Sequence, residues 1–186
     1  MSGAPARSAA PPPVGVLDAL PTTEFAAAVA PLFEGAPRFL ARLAAVRPFG
    51  SDRQLIARAR EIALAMPEDE QVELIDAHPR LGAPLGSVSA LSLVEQGYDR
   101  EAADQAAETE RERVARELER LNADYEECFG FRYCVFVAGR PRAALLAGMV
   151  RALDADRDAE IRRALEDVVA IAEDRLRRLR EGDGSA

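Results

Sequence analysis

The chain has 186 residues, with 24 Lys and Arg against 32 Asp and Glu, a net charge of −8. That length suits one domain whose core needs no staples, and the acidic balance argues against a general affinity for nucleic acid or anionic membrane. One histidine and two cysteines, Cys128 and Cys134, argue against a zinc site built from Cys and His.

Residues 1–20 form an Ala/Pro-rich head that is expected to be disordered. It lacks the apolar segment of a signal peptide, no apolar run approaches membrane-spanning length, and the two thiols read as reduced, so a cytoplasmic location is expected. Helix signals begin near Thr22 and run to about Phe33. Gly35 breaks that helix, and Pro37 suits the first turn of a second, which ends before Pro48. Ser51 with Gln54 three residues on makes a capping-box pattern. Leu55, Ile56, Ala59, Ile62, Ala63 and Met66 follow at helical spacing until Pro67.

A short helix carrying Val72 and Ile75 is expected to stop before Pro79. Residues 79–91, with Gly82, Pro84 and Gly86, read as an irregular loop. A long charged helix is expected from about Asp99 to Cys128, its buried stripe marked by Val114, Leu118, Leu121 and Tyr125. Tyr133 to Val137 is a short apolar run suited to a strand or a buried extended segment. Leu145, Met149 and Leu153 mark a further helix, and Ile161, Leu165, Val168, Ala172, Leu176 and Leu179 the last, before a flexible tail from residue 182. The expected fold is all-α: a single-domain helical bundle over 21–181 with one irregular crossing segment.

Three places carry residues suited to chemistry. His78 is the only side chain whose unperturbed titration lies near neutral pH, which suits a general acid or base. At the C-terminal end of a helix it is expected to favour the imidazolium form and to lie outside the core, and a helix cap is its bland alternative. The stretch Ser92-Leu93-Val94-Glu95-Gln96 is a capping box that also offers a carboxylate, an amide and free helix N–H groups. The run from Phe129 to Val137 is either core or backbone that binds a planar polar ring.

Together these segments resemble the 2-oxo-4-hydroxy-4-carboxy-5-ureidoimidazoline decarboxylase family. The matching text is Phe33-Glu34-x-x-Pro37, Arg47-Pro48-Phe49, His78-Pro79-x-Leu81-Gly82 and Leu91-Ser92-x-x-Glu95-Gln96, then Leu121-Asn122-x-x-Tyr125-x-x-x-Phe129-Gly130-Phe131 and Arg175-Leu176. The resemblance implies an all-α fold, often a homodimer, working without metal or organic cofactor. It implies that His78 and Glu95 are catalytic and that Pro79, Ser92 and Gln96 contact substrate. The backbone of Tyr133, Cys134, Val135, Phe136 and Val137 would hold the ureidoimidazoline. The family's arginine in the helix after Gly139 falls on Ala152, so the neighbouring Arg151, or Arg80 in the histidine motif, is the expected replacement.

The implied reaction needs no external electron sink, because the substrate's own C=N accepts the electrons left by CO₂. Two rivals remain at this stage. One is decarboxylation of a related ureido or imidazole carboxylate on the same scaffold. The other is a non-enzymatic helical interaction module.

Overall fold

The computed structural model describes residues 10–83 and 105–183. Helices α1 (Val14–Ala19) and α2 (Thr22–Val29) lead into a 3-10 turn at Ala30–Leu32. They are followed by α3 (Pro37–Ala45), α4 (Asp52–Ala65) and α5 (Glu68–Asp76). After the interval come α6 (Gln105–Phe129), α7 (Arg142–Ala152) and α8 (Arg157–Asp183). The described residues contain no strand, so the all-α expectation holds. No helix among them is long and apolar enough to cross a membrane.

The punctuation read from the sequence sets most of these boundaries. The Ser51 hydroxyl accepts the Gln54 N–H at 3.2 Å, satisfying one of the donors a helix start leaves open. Pro37 opens α3 and Pro67 stands at the start of α5. The long C-terminal helix α8 is the spine of the bundle. It buries Ile161, Ala164, Leu165, Val168, Ala172 and Leu176 and packs against α4, α5 and the 3-10 turn. Its helical form continues to Asp183, beyond the expected start of the tail.

The head departs from expectation. Residues 14–19 are helical, and Leu17 is wholly buried. The Asp18 carboxylate accepts the N–H groups of Phe49 and Gly50 at 2.9 and 3.0 Å. Arg180 of α8 donates to the carbonyls of Pro11 and Pro12. A single buried leucine with polar ties at both ends holds a helix too short to show periodicity in sequence.

Between the 3-10 turn and α3 the chain reverses through two consecutive left-handed residues, Glu34 at φ 49° and Gly35 at φ 78°. That turn points the Glu34 carboxylate at α8, where it meets Arg175.

Candidate active site

α5 ends at Asp76, and His78 follows as part of its last turn, its N–H donating to the Ile75 carbonyl at 3.1 Å. The imidazole Nδ1 lies 3.1 Å from the Leu74 carbonyl oxygen. A carbonyl can only accept, so Nδ1 carries the proton and Nε2 carries the lone pair. That Nε2 is buried and finds no hydrogen-bond partner among the described residues. An unsatisfied buried acceptor is costly and needs an explanation; here it borders a cavity.

Arg132 fastens the end of α5 to the segment after α6. Its N–H donates to the Asp76 carboxylate at 2.8 Å, and its guanidinium to the Asp76 carbonyl at 2.6 Å and the His78 carbonyl at 3.3 Å. Asn122 of α6 donates to the Leu81 carbonyl at 3.0 Å, securing the loop beyond the histidine. Tyr133 to Val137 is therefore laid beside His78. The cavity between them is lined by His78, Pro79, the whole of Tyr133–Val137, and Ile171, Arg175 and Arg178 of α8.

Arg175, quoted from the sequence as a family match but given no role there, lines the same cavity. Its guanidinium is 1% exposed, which makes an ionic partner obligatory. Glu34 supplies it at 2.7 Å, and the Pro31 carbonyl accepts a further bond at 2.9 Å. The signal was present: Arg175 interrupts the apolar stripe formed by Val168, Ala172, Leu176 and Leu179.

Two expectations about the cation are corrected. Ala152 is buried against the core, and Arg151, one step around α7, is exposed and does not line the cavity. Neighbouring helix positions point about 100° apart, so burying Met149 and Ala152 turns Arg151 outward. Arg80 is committed to Glu126 on α6, with one contact at 2.6 Å. Arg175 instead brings a buried positive charge to the cavity. The stretch Ser92-Leu93-Val94-Glu95-Gln96 lies outside the described residues.

His78 is also corrected: it is 3% exposed and thus a core residue. Burial, then the positive charge of Arg175, push its pKa down to about 4 against the opposing pull of Glu34 and the Leu74 carbonyl. The helix-end preference for imidazolium is overruled, and the ring is neutral at pH 7.

A stability consequence follows from the sign of that shift. The unfolded chain binds this proton near pH 6.5 and the folded one only near 4, so the stability tied to the neutral ring is complete above about pH 6.5 and is lost as the pH falls toward 4. Urea unfolding at pH 7 and pH 4 should show the parent losing about 3 kcal/mol more than His78→Asn. Equal losses in the two proteins would contradict the assignment.

Comparison with known proteins agrees with this fold. The model of the OHCU decarboxylase family matches residues 18–177. A 2-oxo-4-hydroxy-4-carboxy-5-ureidoimidazoline decarboxylase from Haloferax volcanii is 30% identical over 156 residues, covering 82% of this chain and 86% of that protein. The uric acid degradation bifunctional protein PucL of Bacillus subtilis is 28% identical over 145 residues, which are 78% of this chain and 28% of that longer protein. Two solved structures share the fold, each with a TM-score of 0.60. One is an (S)-allantoin synthase, 23% identical, with 90% of this chain and 54% of that chain covered. The other is an OHCU decarboxylase determined in the presence of (S)-allantoin, 22% identical, with 78% and 92% covered. With the family model matching along most of its length, this chain belongs to the OHCU decarboxylase family.

Proposed function

We propose that this protein removes CO₂ from 2-oxo-4-hydroxy-4-carboxy-5-ureidoimidazoline to give (S)-allantoin, a step of urate degradation. The observation that carries the reading is the unpartnered Nε2 of a neutral, buried His78 on a cavity whose wall also holds the Arg175 guanidinium. A lone pair and a fixed cation are what a hydroxy-carboxylate presents itself to.

In this reading Arg175 and the cavity backbone orient the substrate, and Nε2 of His78 accepts the proton of the ring hydroxyl. The bond to the carboxylate breaks, and its electron pair moves into the adjacent C=N, whose nitrogen takes up one proton. The hydroxyl-bearing carbon becomes a carbonyl, and the proton it released is balanced by one delivered to the neighbouring ring carbon on a single face. One proton is consumed for each CO₂ released. Glu95, from outside the described residues, is the proposed carboxylate partner of His78; Pro79, Ser92 and Gln96 are proposed substrate contacts. The family resemblance and the two cysteines, Cys128 and Cys134, which are not joined in a disulfide, favour a cytoplasmic homodimer.

The test is to add purified protein to freshly generated urate-oxidation products and follow circular dichroism. The expected result is (S)-allantoin formed well above the spontaneous rate. Since the substrate accepts its own electrons, chelator is expected to leave that rate unchanged. Racemic allantoin at the background rate would overturn the proposal, and activity lost to chelator and restored by zinc or manganese would overturn the metal-free chemistry.

A further inference from the structure

From Arg132 to Phe136 the peptide groups of the cavity segment are partnered in alternation. The Arg132 N–H goes to Asp76. The Cys134 carbonyl accepts from Arg163 at 2.9 Å. The Phe136 N–H favours the charged form of the Asp167 carboxylate, and the Phe136 carbonyl accepts from Arg140 at 2.6 Å. The Val137 carbonyl accepts from the Arg140 N–H and Nε, both at 3.0 Å, while the backbone groups of Tyr133 and Val135, and the N–H of Val137, have no hydrogen bond among the described residues. In an extended chain the N–H and C=O of one residue point to the same side, and successive residues point to opposite sides. From Arg132 to Phe136 the even-numbered side is thus held by Asp76, α8 and Arg140, leaving the groups of Tyr133 and Val135 and the Val137 N–H for the cavity that the segment lines.

Arg163 is the hub of that arrangement. Its Nε donates to Glu160 at 2.9 Å, and its Nη1 reaches both the Cys134 carbonyl and Asp167, the latter at 2.8 Å. Its guanidinium lies 4.8 Å from the centre of the Tyr133 ring. Glu160 is itself buried and accepts the Tyr125 hydroxyl at 2.8 Å. Both carboxylates sit on α8 at positions three before and four after Arg163, so one face of one helix grips the segment.

We infer that Arg163 is a positioning residue for the reaction, holding the even peptide groups with Asp167 so that the Val135 N–H and C=O and the Val137 N–H meet a ligand edge carrying an adjacent donor and acceptor. An amide or ureido edge has that pattern. The inference rests on the proposed substrate for the ligand's identity but not for the alternation itself.

Two measurements test it, with (S)-allantoin as the probe. Amide exchange in the free parent should show the Phe136 N–H protected and those of Val135 and Val137 faster, and adding (S)-allantoin should slow Val135 and Val137 selectively. In steady-state kinetics, folded Arg163→Met should raise KM and the (S)-allantoin inhibition constant together by about 10-fold or more, with kcat falling less, since misplaced contacts weaken binding of both. Arg163→Lys, which can still donate to the Cys134 carbonyl, should recover part of that loss. A merely structural arginine would lower the melting temperature and leave both constants within about twofold of the parent in the folded variant; that outcome overturns the inference. So does equal exchange at Val135, Phe136 and Val137 in the free parent, a result that stands even where Arg163→Met fails to fold. Loss of the proposed decarboxylation, by contrast, would show as an inactive parent whose free-state exchange still alternates.

Discussion

His78→Asn should lower kcat by about 10²-fold or more while leaving the protein folded, the usual scale for removing a general acid or base. Asparagine can keep a donor to the Leu74 carbonyl, the bond His78 makes through Nδ1, but it has no lone-pair nitrogen to take a proton near neutral pH. It also removes a buried titratable ring, so stability at low pH should not suffer. If His78 were only a helix cap, asparagine, which suits helix ends, would behave nearly as the parent does. Stereospecific allantoin formation at near parental rate in folded His78→Asn would therefore remove the histidine from the chemistry and shift attention to Glu95.

Arg175→Met should be the most damaging single change, because it acts on both folding and chemistry. It strips the Glu34 carboxylate and the Pro31 carbonyl of a buried cation held at 2.7 and 2.9 Å, a loss of about 3–5 kcal/mol when one partner of a buried pair is removed. Activity per folded molecule should fall by about 10²-fold or more, the scale of losing one fixed charge-stabilising donor. The double variant Arg175→Met with Glu34→Gln separates the two effects. With no lone charge left in the core, stability should largely return while activity does not. The acid limb of the kcat/KM profile supplies an independent check. Arg175 holds the His78 pKa down more strongly than Glu34 holds it up, so removing both should move that limb to higher pH. A double variant that regains parental activity along with stability would show that Arg175 serves the fold alone.

The architecture was legible wherever a boundary had a chemical cause within a few residues. Ser51 reads as a cap and proves to be one, and Pro37 and Pro67 stand where helices start. α1 was not legible, since six residues carry no period and its burial depends on Leu17 meeting partners far along the chain. The site was half legible. His78 stands out by being unique, and the apolar Tyr133–Val137 run by its composition. Their surroundings did not stand out. The lowered pKa of His78 comes first from burial in the folded core and then from Arg175, nearly one hundred residues away, and no local rule about helix ends contains either. Arg175 itself is hidden among Arg162, Arg163, Arg177, Arg178 and Arg180, in a helix whose many arginines read as a solvated face. Only its register against Ala172 and Leu176 separates it from them, and register becomes decisive once the buried face is known.

The reversed backbone at Glu34 sets a local preference against a distant partner. A non-glycine residue at φ 49° costs about 1 kcal/mol that glycine would not incur, and glycine or asparagine is what the turn alone would choose. A library at position 34 sorted for thermal resistance should nonetheless return glutamate, because leaving Arg175 as a lone buried cation costs about 3–5 kcal/mol. The same library sorted for turnover should return glutamate as well, the residue that keeps Arg175 in place beside the cavity. Glycine should win at that turn only where Arg175 has already been replaced, so the strain and the buried charge are kept or lost together.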